Sequence, residues 1–151
     1  FFDCFVYLGG SGTTLALLAA IFIASKMKDK REIAKIGAAP GLFNINEPVI
    51  FGLPIVLNPV LLVPFIFGPV VLTVVSYLAM YAHLVPRTIV MVPWTFPPVI
   101  GAILATGSFM GGVLALFNLV LATLMYLPFV LLGDMLEANK APYLNTKASN
   151  E

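Results

Sequence analysis

Apolar residues run almost unbroken along this chain, and polar ones arrive in a few tight clusters. Thr13 to Ser25 is a helix-like apolar run. At 1.5 Å per residue it reaches only about 20 Å, short of the roughly 30 Å hydrocarbon core of a bilayer. Val60 to Ala82 and Ser108 to Gly133 are apolar for long enough to cross it. Two further apolar stretches are interrupted, 38–59 by proline, glycine and amides and 88–107 by proline and glycine, which a continuous helix would avoid. The pattern predicts an all-α integral membrane protein with three main membrane helices and two Pro/Gly-interrupted re-entrant hairpin segments. Broken backbone at membrane depth is tolerated where it is buried in protein or lines a wet cavity.

Composition supports that class. The chain has 151 residues, 60% hydrophobic and 10% charged, whereas soluble domains are about a quarter charged. A net charge of +1 gives no reason to expect a nucleic-acid partner. The one cysteine, Cys4, rules out an intrachain disulfide and a multi-cysteine metal site, and reads as a small packing residue. No basic n-region opens the chain, and the expectation is a piece of a longer polypeptide.

The charges that exist are concentrated. Lys26 to Lys35 holds five basic and two acidic residues directly after an apolar run. By the positive-inside rule, 26–37 reads as a cytoplasmic basic loop, either a solvated topology signal or a docking surface for a soluble partner. Residues 134–151 then form a polar cytoplasmic tail, frayed beyond Tyr143. His83 and Arg87 flank a span end on the outer side and suit interface anchoring.

Chemistry concentrates in the first broken stretch. Glu47 is the single carboxylate between Glu32 and Asp134, and Asn44 and Asn46 stand within three residues of it. One reading is structural: Glu47 at a helix N-cap, with Pro48 in the first turn. The other is ligand contact, because clustered amides and a carboxylate suit a polyhydroxylated molecule through charge-assisted hydrogen bonds. Trp94, the sole tryptophan, sits in Pro93-Trp94-Thr95-Phe96-Pro97-Pro98. It offers either a stacking face for a sugar ring or an anchor in the interfacial aromatic belt. Gly9-Gly10-Ser11-Gly12 permits close backbone approach, beside a cavity or between packed helices. No metal-ligand cluster, P-loop or nucleophile motif is present, so no cofactor or metal is expected.

The three motifs Gly9–Leu15, Pro40–Pro54 and Pro93–Pro98, in that order and spacing, resemble the membrane-embedded enzyme IIC component of the bacterial sugar phosphotransferase system. The match is nearest to its lactose/cellobiose/diacetylchitobiose group and spans nearly the whole chain. The resemblance implies that residues 1–151 are the carboxy-terminal transport part of a multi-pass permease in the bacterial cell membrane. It also implies that the missing amino-terminal half makes the homodimer and adds further site residues. Asn46 and Glu47 fall on the family's sugar-binding motif, with Glu47 near the hydroxyl that is phosphorylated, as base or as hydrogen-bond acceptor. Trp94 falls on an aromatic of the second hairpin. The implied substrate is a β-linked disaccharide, either cellobiose or diacetylchitobiose or a similar sugar. The implied phosphoryl donor is phospho-enzyme IIB on another chain, since Cys4 lacks the loop of a phosphocysteine. Residue chemistry alone also allows a channel or a proton- or cation-coupled secondary transporter with Glu47 as the ion site.

Overall fold

The computed structural model describes the backbone of residues 1–148, which is helical, with no strand among the described residues. Seven α-helices follow one another: α1 (Phe2–Phe5), α2 (Thr14–Ala24), α3 (Lys28–Leu42), α4 (Glu47–Gly52), α5 (Pro59–Tyr81), α6 (Pro98–Thr106) and α7 (Phe109–Ala148), with 3-10 turns at Ser11–Thr13 and Ile55–Leu57.

By length and composition, α5 and the Phe109–Lys140 part of α7 can cross a bilayer. Asn58 caps α5 by accepting from the Val60 amide at 3.1 Å, and Pro59 occupies its first turn, where the missing N–H is no loss. The expected span Val60–Ala82 thus lies within one residue of α5. Large apolar side chains of α5, among them Ile66, Phe67, Val70 and Tyr77, point outward, whereas Gly68, Leu72 and Ser76 face inward. Water would penalise such a surface and lipid would not, while small inward residues let helices approach closely.

The third expected membrane helix is too short to span by itself, as the length of its apolar run implied. Helix α2 has 11 residues, about 16 Å, and begins inside the protein after the glycine turn. It packs on α7 with Ala16, Leu17, Ala20 and Ile21 fully buried.

The basic run is also not a loop. Lys28–Leu42 forms α3, whose Lys30, Ala34, Gly37 and Gly41 make a buried stripe at helical spacing. Its alanines and long charged residues are good helix formers. Lys30 reaches α7, donating to Asp134 at 2.6 Å and pairing with Glu137 at 3.3 Å. The start of α3 and the polar end of α7 therefore meet at one end of the bundle.

Helix α3 is also the outgoing arm of the first hairpin, so the expected boundary at residue 38 lies too late. The chain turns at 43–46 and returns through α4, bringing Gly52–Pro59 beside Asp29, Lys30 and Ile33. The stretch assigned to a separate tail instead continues α7 to Ala148, including the part beyond Tyr143 expected to fray. Residues 149–151 lie outside the described residues.

The second broken stretch is a hairpin of a different kind. Residues 88–97 form an irregular arm, and α6 starts at Pro98. The Ile89 and Val90 amides both donate to the Ala105 carbonyl, at 2.8 and 3.2 Å, folding the arm along α6. Gly107, in the left-handed region, closes α6 before α7 begins.

Candidate functional site

The site is built on two backbone breaks. The first is the turn between α1 and α2. Gly10 has φ 101 and ψ −170, a conformation essentially restricted to glycine. A Cβ there would also stand 2.6 Å from Asn46 Cγ. The turn is fastened from several sides. Thr13 Oγ1 donates to the Val6 carbonyl at 3.0 Å, Thr14 Oγ1 to the Gly9 carbonyl, and the Tyr126 hydroxyl of α7 to the Gly12 carbonyl.

The second break ends α3. Asn44 takes the left-handed conformation, φ 61, just past the C-cap Phe43, a place where asparagine substitutes for the usual glycine. This turns the chain and aims the Asn44 side chain between segments. Its Oδ1 accepts from the Gly9 amide at 2.9 Å. Its Nδ2 donates to the Trp94 carbonyl at 2.5 Å and the Phe96 carbonyl at 3.3 Å. One buried amide thus joins the glycine turn, the first hairpin tip and the second broken arm.

Asn46 holds the other side. Its Nδ2 donates to the Ser11 carbonyl at 2.9 Å and to Ser11 Oγ at 3.0 Å. Its Oδ1 has no hydrogen-bond partner among the described residues. Between these segments lies a cleft of about 280 Å³, lined by Asp3, Tyr7, Ser11, Asn44, Asn46 and Trp94, with Gly10 at its base. Trp94 is 57% exposed, so its ring is not consumed by core packing.

Three of the four residues expected at the site therefore line one cleft. The fourth, Glu47, follows Asn46 directly but is not among the lining residues. It is the first residue of α4, with Asn46 at the N-cap position and Pro48 second, rather than the cap itself. Its carboxylate is exposed and has no hydrogen bond or ion pair among the described residues. No side-chain capping bond forms at this helix start.

The residue reading missed Asp3, Tyr7 and Ser11 as cleft residues. One signal was available for them: a carboxylate and a phenol four residues apart, leading straight into the Gly9–Gly12 turn. No group of three or more His, Cys, Asp or Glu side chains able to hold a metal occurs among the described residues.

Comparison with known proteins gives a consistent result. The model of the family described as "Phosphotransferase system, EIIC" matches residues 1–69. The oligo-beta-mannoside-specific EIIC component of Bacillus subtilis is 49% identical over 136 residues, covering 89% of this chain and 31% of that protein. The cellobiose-specific EIIC component of Lactococcus lactis is 43% identical, covering 89% of this chain and 28% of that protein. The crystal structure of ChbC, the IIC component of the N,N'-diacetylchitobiose-specific phosphotransferase system, superposes with a TM-score of 0.88 at 44% identity. That superposition covers 94% of this chain and 33% of ChbC. The chain spans about a third of the length of these relatives. These matches are all to enzyme IIC components of bacterial sugar phosphotransferase systems, and they bear out the resemblance carried by the three sequence motifs.

Proposed function

We propose that this chain forms the sugar-handling part of a permease that carries a β-linked disaccharide across the bacterial cytoplasmic membrane. Phospho-enzyme IIB phosphorylates the sugar at the inner face. The observation that carries this reading is the cleft itself, where Asn44, Asn46 and Trp94 converge with Glu47 alongside. Its open groups suit a sugar: an aromatic face for the apolar side of a pyranose ring, and oxygen acceptors for hydroxyl donors. The specificities named for the relatives, oligo-beta-mannoside, cellobiose and N,N'-diacetylchitobiose, support the same substrate class.

In this reading Trp94 stacks on one ring, and Asn46 Oδ1 accepts from a hydroxyl. Glu47 accepts from the hydroxyl that receives the phosphoryl group, a charge-assisted bond that orients it. Asn44 keeps the cleft walls in register. The two hairpins re-enter the membrane without crossing it, and α5 and α7 span it. Lys26–Lys35 and the end of α7, joined through Lys30 and Asp134, lie on the cytoplasmic side. The homodimer is made by parts of the polypeptide outside this chain. Phosphorylation adds charge to the sugar and lowers its affinity for an acceptor-rich cleft, which releases it inward.

The test is uptake of labelled cellobiose and diacetylchitobiose into vesicles containing the intact membrane protein. The expected result is accumulation of sugar phosphate only when phospho-enzyme IIB is supplied. Accumulation of unmodified sugar driven by a proton or cation gradient would instead support the reading of Glu47 as an ion site.

A further inference from the structure

We infer that Asp3 is the carboxylate that lines the sugar cleft and selects its ligand by accepting hydrogen bonds from sugar hydroxyls. This inference rests on the functional reading above and adds a residue to it.

Most amide groups in the cleft are already engaged by the fold. The Asn44 amide uses Oδ1 for the Gly9 N–H and Nδ2 for two carbonyls. An amide nitrogen has only two donors, so Asn44 offers a ligand no further N–H. Asn46 directs its Nδ2 at Ser11 and leaves one acceptor, Oδ1. Trp94 contributes a ring. The side-chain donors still open around the cleft include the Ser11 hydroxyl and the Trp94 indole N–H, while the many hydroxyls of a sugar also need acceptors. Asp3 supplies the strongest acceptor for that purpose: its exposed carboxylate lines the cleft and makes no hydrogen bond or ion pair among the described residues.

Asp3 is also held in place. It stands on α1, whose Phe5 ring is fully buried on the opposite side. The Phe5 carbonyl accepts from Asn118 Nδ2 of α7 at 2.9 Å, and the same nitrogen donates to Ser76 Oγ of α5 at 2.6 Å. Two long helices thereby fix the short one that presents the carboxylate. A charge-assisted bond gains most when its partner is pre-positioned in this way.

Position adds a second argument. The cleft, at about 280 Å³, is small beside the roughly 300–1,000 Å³ typical of small-molecule sites, so a two-ring ligand extends past its rim. Asp3 also lines a second cavity of about 230 Å³, together with Thr88, Ile89, Val90, Met91 and Val92. Asp3 is therefore shared by two cavities, and a two-ring ligand that extends out of the first can meet its carboxylate. Glu47, on the other side of Asn46, then serves the hydroxyl that reacts.

The test compares equilibrium binding of cellobiose and diacetylchitobiose to the intact membrane protein with that of Asp3→Asn and Asp3→Glu, with thermal melting of each. Asn preserves size and removes the charge, whereas Glu preserves the charge. Asp3→Asn is expected to bind the parent's preferred disaccharide about tenfold or more weakly at an unchanged melting temperature. Asp3→Glu should remain within a few-fold of the parent. If Asp3→Asn binds within twofold of the parent, the inference is overturned. It is overturned equally if Asn and Glu variants are weakened alike, because that pattern belongs to a structural role. A parent protein that binds neither sugar contradicts the functional reading instead.

Discussion

The polar side chains inside the bundle and those around the cleft differ in what they leave unbonded. Within the bundle, Asn118 joins α1, α5 and α7, Thr13 turns back to Val6, and Tyr126 reaches the Gly12 carbonyl. These donors are consumed by the fold; one acceptor, Asn118 Oδ1, is left without a partner. Around the cleft, Asp3, Glu47 and Asn46 Oδ1 are open, and Asn44 alone is fully engaged. Polar atoms in an apolar chain are costly when unpaired and buried, so a region that leaves acceptors accessible retains the capacity to bind. The same residue types serve architecture inside the bundle and, in the proposed reading, recognition at the cleft, where accessible acceptors remain.

Substitutions can break this contrast from either side. The largest effect is expected for Gly10→Ala, which forces a Cβ against Asn46 and strains a glycine-only conformation. It should cost about 1–3 kcal/mol of stability. By displacing Asn46 it should also weaken disaccharide binding at least about tenfold; melting and calorimetric titration measure the two effects. A smaller effect is expected for Tyr126→Phe. It removes the donor to the buried Gly12 carbonyl and should cost about 1–2 kcal/mol in denaturant unfolding. Because Tyr126 does not line the cleft, affinity should stay within twofold; a large loss there would erase the distinction between the two regions. The smallest effect is expected for Lys30→Met. The ion pair with Asp134 and Glu137 lies at the polar end of the bundle, with those carboxylates 17% and 42% exposed. A methionine fills the space while the acids turn to water, so the cost should be about 1 kcal/mol or less, with sugar affinity unchanged.

Much of the fold was legible in the sequence because lipid imposes one simple demand. Apolar stretches long enough to span, Val60–Ala82 and the Ser108–Gly133 region, became α5 and the greater part of α7. In the structure α5 and α6 begin at Pro59 and Pro98, where proline's missing N–H is no loss. What was not legible came from tertiary packing. The charged run reads as a loop when charge is taken for solvation, yet Ala34, Gly37 and Gly41 give α3 a face that packs on its neighbours. Lys30 is buried because its partners lie 104 and 107 positions away on α7, which no local pattern reveals. At the site, the cluster of Asn44, Asn46 and Trp94 was visible as composition. That Asn44 closes a turn and bonds two other segments, and that Asp3 lines the same cleft, required the positive φ at Asn44 and the coordinates of three separate stretches.

The central claim is that a disaccharide occupies the cleft against Trp94, and tryptophan emission tests it most directly. Cellobiose and diacetylchitobiose would be titrated into the intact protein, into Trp94→Phe and into Glu47→Gln, with emission and calorimetric affinity recorded together. We expect a saturable emission change in the parent that is diminished in Trp94→Phe, and calorimetric affinities of Trp94→Phe and Glu47→Gln each at least about tenfold weaker than the parent at an unchanged melting temperature. Sugar binding in the parent whose affinity neither substitution alters would contradict the assignment of this cleft as the sugar site.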